Sequence, residues 1–521
     1  MNIGILLTKA ASTYRRRTAV AYGSSELTYE EFNSRAEALG SALRRLGLRK
    51  GDRVAILQHN CPQFLESLYA SFKAGLIVVP LNVRLHPNEL AYIIDHSETR
   101  TVIFSEEFKE ILDSVSKAVD LSNVTLLCVS NPAKGMLDYE KLVGEARTER
   151  PLEEASLDDI AWLFYTSGTT GRPKGAMLTH RNLLSMTMNF LADVYAPTAD
   201  DKALHQAPLA HGSGLYSIPL TAKGTSSIIS TSKSFDPPSF LSTIQEKKVT
   251  VIPFLTPTMI KMLLIYPQSS EYDTSSLKCV VYGGSPMYEE DLKAAIVRFG
   301  PVFAQIYGQG EAPMTITYLP KEWHIANATS PRPKTLISAG IARTDVRVKI
   351  FDENDAELSP GSMGEIVVEG DIVMKGYWKD PKATSEILRG GWLHTGDLGY
   401  LDEDGYLFIM DRKKDLIKSG GANVYPREVE EALLRHPAVQ EVAVFGVPDP
   451  VWGESVKAMV VRKPGSQASE ADLIDFCKKQ IASYKKPKSV EFIDSIPKNA
   501  FGKVLKRELR DKYWAGLPRK V

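Results

Sequence analysis

Cysteine is scarce: four in 521 residues, at Cys61, Cys128, Cys279 and Cys477, with no C-x-x-C pair among them. That spacing argues against a disulfide framework and a thiolate zinc site, and it predicts a reducing compartment. Net charge is missing too. Lys plus Arg and Asp plus Glu both count 63, so the bulk electrostatics call for neither nucleic acid nor an acidic surface as partner. No apolar run approaches the roughly 20 residues that a membrane-spanning helix needs. The opening stretch MNIGILLTKAASTYRRRT has too short an apolar segment for a secretion signal, and its basic residues follow that segment instead of preceding it. No short-period repeat is visible, which argues against a solenoid. These absences predict a cytoplasmic protein without a transmembrane segment; peripheral membrane contact and a homodimer stay open.

What is present is an alternation. LTYEEFNSRAEALGSALRRLGL carries apolar residues at helical spacing behind a capping box, Thr28 with Glu31. RVAIL then reads as a buried strand, PQFLESLYASFKAG as a helix closed by Gly75, and IVVPLN as another strand. Alternating strands and helices predict an α/β fold with mainly parallel sheets. From RVKIFDENDAELSPGSMGEIVVEG to GYLDEDGYLFIMDRKKD the texture changes to short strands between Asp, Gly and Pro turns, which predicts a β-rich subdomain. After Asp415 comes a compact helix, strand, strand, helix, strand unit, from REVEEALLRH to SVEFID. The chain is too long for a single core. The expected division is a large N-terminal domain, 1–413, and a small mobile α/β domain, 414–521, joined at the charged MDRKKDLI.

Chemistry concentrates first in LFYTSGTTGRPKGAML, Leu163 to Leu178. Glycines allow backbone N–H groups to approach an anion, and hydroxyls and Lys174 add donors, so a phosphate chain is the natural ligand. The spacing is not that of a P-loop, and the loop is flanked by strand-like runs, without a helix dipole behind it. Taken alone, such a loop is as often a plain surface turn. Its companions matter: QIYGQGEAPM ends a strand in Tyr307, Gly308, Gln309, Gly310 and Glu311, able to stack a base and carry a magnesium ion. WLHTGDLGYLDED sets Asp397 in a tight turn where its carboxylate could accept the hydroxyls of a ribose. Finally, IPKNAFGKVLKREL presents Lys503 after Gly502 in a loop ahead of a basic helix.

In this order, YTSGTTGRPKG, YGQGE, TGD, DRKKDLIKSGG and PKNAFGK resemble the adenylate-forming superfamily, and within it the acyl-CoA synthetases, over essentially the whole chain. The resemblance implies ATP, Mg²⁺ and coenzyme A as cofactors and a small carboxylic acid as substrate. It implies that Thr166, Ser167, Gly168, Thr169, Thr170 and Lys174 hold the β- and γ-phosphates. Tyr307 would stack on adenine beside the backbone of Gly283, Gly284 and Ser285, with Gly308, Gln309 and Gly310 close by, and Asp397 and Arg412 would hold the ribose. Glu311 would bind the metal. Lys503 would be the catalytic lysine of adenylate formation, bridging the substrate carboxylate and the α-phosphate. Lys414 falls at the hinge about which the C-terminal domain would rotate, withdrawing Lys503 and bringing Lys418, Gly420 and Gly421 beside a pantetheine channel.

The sequence departs from that pattern at Gly310, where the family usually has Thr, and at Ala210, where an aromatic often precedes the histidine. His211 is the expected gate or carboxylate neighbour. The acyl pocket is expected from His211, Gly212, Ser213, Tyr216, Ser285, Gly308, Gln309 and Met314. Small residues there suit a medium or long chain or an aromatic ring, and the lack of an Asp disfavours an amino acid. Competing readings are a stand-alone adenylation enzyme serving a carrier protein, a luciferase-like oxidase, and a nucleotide-binding regulator without catalysis.

Overall fold

The computed structural model describes residues 1–146, 152–166, 172–285, 287–324, 336–420, 422–498 and 504–515. Ser167, Gly168, Thr169, Thr170, Gly421 and Lys503 lie outside the described residues.

The expected α/β alternation is present. Thr28 caps the helix Tyr29–Arg45 in the capping box read from the sequence, its hydroxyl accepting Glu31 N–H while the Glu31 carboxylate accepts Thr28 N–H at 2.8 Å. The helix Pro62–Lys73 runs out into Gly75, whose φ of +69° is the left-handed turn that lets the next strand begin at Ile77.

Two large sheets form the body among the described residues. One has seven strands in the spatial order Leu137–Asp138, Thr125–Val129, Thr99–Ser105, Arg53–Leu57, Ile77–Pro80, Ile160–Thr166, Lys174–Thr179. Its strands pair in parallel except for the last two, an antiparallel hairpin in which Thr166 faces Lys174. The other has nine strands, with Phe303–Tyr307, Cys279–Gly283, Val251–Leu255, Lys202–His205, Ser226–Ile229 and Thr18–Tyr22 as consecutive parallel neighbours. The largest apolar cluster draws Phe64 and Trp162 from the first sheet's half and Phe190 and Tyr216 from the second's. Burial of such side chains is the main favourable term in holding the halves together.

A five-stranded, antiparallel sheet follows, built on Arg347–Phe351, Gly364–Glu369, Trp392–Leu401 and Leu407–Arg412. From Ile417 onward a separate sheet, covered by the helices Pro426–Leu434 and Glu470–Gln480, has its own core of Ile417, Val429, Leu433, Val444, Val460 and Leu473. Among the described residues no helix is long and apolar enough to cross a membrane.

One element differs from its sequence pattern. RNLLSMTMNFLADV suggests a continuous helix, but the α-helix spans His180–Asn189 and widens into a π-turn at Phe190–Val194. There Asp193 accepts the Thr344 backbone N–H at 3.0 Å, a tertiary contact that the local periodicity does not encode.

Candidate active site

A cavity of ≈ 1370 Å³ opens at the carboxyl ends of the parallel strands of both large sheets, where open α/β sheets hold their ligands. Thr166, Lys174, His211, Gly212, Gly284, Gly308, Gln309, Gly310, Glu311, Met314 and Arg412 all lie on its wall. Gly283, Ser213, Ser285, Tyr216, Tyr307, Asp397, Lys414, Lys418 and Gly420 do not.

The strand Phe303–Tyr307 delivers the first group. Beyond it the chain turns back sharply: Gln309 N–H donates to Ala312 O at 3.1 Å and Ile316 N–H to Tyr307 O at 2.9 Å. The turn needs small residues. A Cβ on Gly308 would lie 2.5 Å from Met314 Cα, and one on Gly310 2.5 Å from Thr166 Cγ2 and 2.8 Å from Phe164 Cδ1. The space that a Thr side chain would need at Gly310 is therefore occupied by the hairpin that carries the glycine loop.

Glu311 leaves this turn buried, and its Oε1 accepts the Tyr377 hydroxyl at 2.7 Å and the Thr166 hydroxyl at 3.4 Å. Lys174 approaches from the hairpin, its Nζ 5.2 Å from the Tyr377 ring centre and 3.8 Å from Asp380 Oδ2. A carboxylate, a hydroxyl and an ammonium thus converge where the glycine loop starts and ends. This donor set suits a metal-bound polyphosphate: Mg²⁺ takes one or two carboxylates and completes its shell with phosphate oxygens and water. Among the described residues no group of three or more His, Cys, Asp or Glu side chains could hold a metal by itself.

Asp397 organises the second group. Its Oδ2 accepts the Tyr307 hydroxyl and Gln309 Nε2, both at 2.7 Å, and its Oδ1 faces Arg412 Nε at 3.2 Å. Asp397 and Arg412 are direct partners across adjacent strands, which sets their approach. Three of about four acceptor directions on the carboxylate are thereby used, leaving one. Burial, then the Asp397 charge, pushes the Tyr307 phenol well above its usual value, and the same carboxylate raises Arg412, so both stay protonated.

His211 stands at the entry of the helix Gly212–Ala222. Its ring lies between Phe164 and Phe254, with centroids 5.2 Å and 6.3 Å away, and burial pushes its pKa down to about 4, so it is neutral at pH 7. Ser213 is fully buried and shares a hydrogen bond of 2.8 Å with His205 Nδ1, while the Tyr216 hydroxyl donates to Met314 O at 2.9 Å. Gly214 is demanded by packing, since a Cβ there would fall 1.9 Å from Leu209 O.

In the C-terminal unit, Lys418 is exposed and its N–H donates to Glu454 Oε2 at 3.1 Å. Gly420, at φ +59°, is overlaid by Trp452, whose ring a Cβ would meet at 2.3 Å. Lys414 is lowered by burial and then by neighbouring Arg412. Leu505, two residues beyond Lys503, lies on the cavity wall, and its N–H donates to Pro497 O at 2.9 Å. Next to it the half-buried Lys506 faces Glu430, 2.8 Å away, and Asp411, 3.8 Å away. Tyr288 and Lys261 add contacts across the same seam, to Glu430 at 3.4 Å and Gln440 O at 2.8 Å.

Sequence reasoning passed over Tyr377, Phe164 and Phe254, which hold Glu311 and His211 in place. The GYWKD string around Tyr377 was the available signal, an aromatic cluster in a turn-rich stretch.

Comparison with known proteins agrees with this arrangement. Residues 7–378 match the family model of the AMP-binding enzyme, and residues 428–503 that of the AMP-binding enzyme C-terminal domain. The chain is 40% identical over 498 residues to a feruloyl-CoA synthase of Amycolatopsis sp, covering 95% of this chain and 96% of that protein. It is 36% identical over 540 residues to a long-chain-fatty-acid–CoA ligase of Bacillus subtilis (strain 168), covering 97% and 94%. The crystal structure of an anthranilate CoA ligase, AuaEII, in complex with anthranoyl-AMP superimposes with a TM-score of 0.90 at 27% identity, over 98% of this chain and 97% of that one. A doubly layered α/β body with a small α/β cap over a phosphate-suited cavity defines an adenylate-forming enzyme. The chain belongs to the AMP-binding enzyme family.

Proposed function

We propose that the protein is an ATP-dependent, AMP-forming acyl-CoA synthetase that acts on an aromatic or a medium- to long-chain carboxylic acid. The convergence of Thr166, Lys174, Glu311 and Arg412 on the wall of one cavity, with Asp397 paired to Arg412 behind that wall, carries this reading. A carboxylate oxygen attacks the α-phosphorus of ATP; the new P–O bond replaces the α–β anhydride bond, and pyrophosphate leaves. The thiol of CoA then attacks the acyl carbon, the acyl C–O bond breaks, AMP leaves and the thiol proton passes to solvent.

The protein's part is positioning and charge stabilisation. Thr166, Ser167, Gly168, Thr169, Thr170 and Lys174 take the β- and γ-phosphates. Glu311, fixed by Tyr377, would hold Mg²⁺, which neutralises phosphate charge when bound. Tyr307 and the backbone at Gly283, Gly284 and Ser285 take adenine; Arg412 and the remaining acceptor direction of Asp397 take the ribose. Lys503 brings two mutually repelling anions together. A neutral His211 beside Phe164 and Phe254 adds no charge to the acyl site and acts as its gate. Leu215, Phe254, Met259 and Met262 on the cavity wall support an apolar acyl group.

The two half-reactions need different surroundings over one adenylate. Rotation of residues 414–521 about Lys414 would exchange Lys503 for the Lys418, Gly420 and Gly421 loop. Residues 1–413 then form the fixed body, and the reducing surroundings implied by four unpaired cysteines point to the cytoplasm.

The test is acid-dependent ATP–pyrophosphate exchange and CoA-dependent AMP formation over aryl, fatty, dicarboxylic and amino acids. The expected result is AMP formation that requires CoA with aryl or fatty acids. Exchange without CoA-dependent turnover would point to a carrier protein as acceptor. Preference for acetate or an amino acid would overturn the acyl-pocket reading.

A further inference from the structure

Arg343 is 2% exposed, and among the described residues no carboxylate lies within ion-pair distance of its guanidinium. Burying a cation without a counter-ion is costly, so its contacts need a reason. They converge on one atom. Arg343 Nη2 donates to Met314 O at 3.1 Å and to the Tyr216 hydroxyl at 3.2 Å, and that hydroxyl itself donates to Met314 O at 2.9 Å. Among the described residues Nε and Nη1 have no hydrogen-bond partner. The face of Tyr318, 5.3 Å from the guanidinium carbon, gives it a cation–π contact.

Met314 is where this matters. It is a non-glycine residue at φ +58°, a conformation that persists only when its surroundings enforce it. Two donors on its carbonyl supply that enforcement. The outcome is that the Met314 side chain lies on the cavity wall and crosses Gly212: a Cβ on Gly212 would be 2.8 Å from Met314 Sδ and 3.3 Å from Phe254 Cδ1. On the other side, the Met314 backbone seats directly over Gly308. Relaxation of Met314 toward negative φ would swing the thioether and change the width of the cavity beside His211.

We propose that Arg343, acting with Tyr216, is a positioning residue that pins the Met314 carbonyl and so sets which carboxylic acids the cavity admits; this rests on the acyl-activating reading above. Arg343 does not lie on the cavity wall. Its effect passes through one flexible side chain, and a thioether that is held in place can discriminate by size.

The test compares kcat/KM for the best acid and for a bulkier homologue, by pyrophosphate exchange, in wild type, Arg343→Leu, Tyr216→Phe, Met314→Gly and Arg343→Leu/Met314→Gly. Glycine adopts positive φ freely and removes the thioether. Arg343→Leu and Met314→Gly should each shift the ratio toward the bulkier acid by about tenfold, the range a misfit methylene commands in an apolar pocket. The KM for ATP should stay within about twofold in Arg343→Leu, and the double variant should match Met314→Gly because the effect of Arg343 passes through the Met314 side chain that the glycine removes. Tyr216→Phe, which removes only a hydroxyl, carries the test if Arg343→Leu does not fold. A uniform loss of rate with the acid ratio unchanged, or additive effects in the double variant, overturns the inference. A wild type without any acid-dependent exchange overturns the acyl-activating reading itself and the inference with it.

Discussion

The Tyr377 hydroxyl donates to Glu311 Oε1 at 2.7 Å, and both side chains are buried. A hydrogen bond to a buried carboxylate contributes about 1.5–3 kcal/mol, and this one also fixes the direction from which Glu311 meets a metal-bound phosphate. Tyr377→Phe should raise the KM for magnesium-ATP by roughly tenfold and leave the KM for the acid nearly unchanged. Glu311→Gln should lower kcat itself. Initial rates of pyrophosphate exchange at varied magnesium separate the two; equal effects of Tyr377→Phe on both KM values would contradict a role through Glu311.

Asp397 already accepts from Tyr307 and Gln309 on one oxygen and faces Arg412 with the other. With one acceptor direction left, it can take one ribose hydroxyl and not two. The wild type should therefore discriminate strongly against only one of 2′-deoxy-ATP and 3′-deoxy-ATP through this residue, and Asp397→Asn should abolish that discrimination while raising the KM for ATP. Steady-state kinetics with the three nucleotides reads this directly. Equal discrimination against both analogues, lost together in Asp397→Asn, would mean that the carboxylate reorients on binding.

Much of this was legible in the sequence because local rules govern it. The capping box at Thr28 and Glu31, the turn at Gly75 and the strand–loop–strand setting of the glycine loop all depend on neighbours in the chain, and all are present. The separate core from Ile417 onward likewise follows from short-range periodicity. What escaped depends on residues far apart in the chain. Tyr377 meets Glu311 across 66 positions, and Arg343 meets Tyr216 across 127. The Asp193 bond to Thr344, across 151, goes with a π-turn in what the pattern shows as a regular helix. No window of hydrophobic spacing contains both partners of such pairs.

Lys506 is half-buried beside Glu430 and Asp411, and their charges raise its pKa against the desolvation. Asp411 precedes Lys414 in the chain, and Glu430 and Lys506 follow it, so the cluster straddles the proposed hinge. Rotation of the C-terminal unit would separate Asp411 from Lys506. The contact therefore favours the pose in which Leu505 lines the cavity. Lys506→Met should slow adenylate formation by about tenfold, since unpairing a buried carboxylate costs several kcal/mol, yet spare thioester formation from supplied acyl-adenylate. Rapid-quench measurement of each half-reaction is decisive: equal slowing of both would remove the hinge argument.

Acid stability follows from an unequal competition. Burial pushes His180, His205, His211 and His324 each down to about 4 from 6.5. A depressed native pKa gives stability that is present above 6.5 and lost as the pH falls toward 4, because only the unfolded chain binds the protons. Asp411 and Glu431 act in the opposite sense. Burial raises them to about 6 and about 7, so the native state keeps protons that the unfolded state has released. Near pH 5.5 four histidines outweigh two carboxyls, and unfolding takes up about two protons net, a slope of about 2.7 kcal/mol per pH unit. Calorimetry from pH 7.5 to 5 should show Tm falling throughout the lower half of that range. Glu431→Gln removes one of the opposing carboxyls and should steepen the fall; a flat or rising Tm below pH 6.5 would show that these histidines are protonated in the native state.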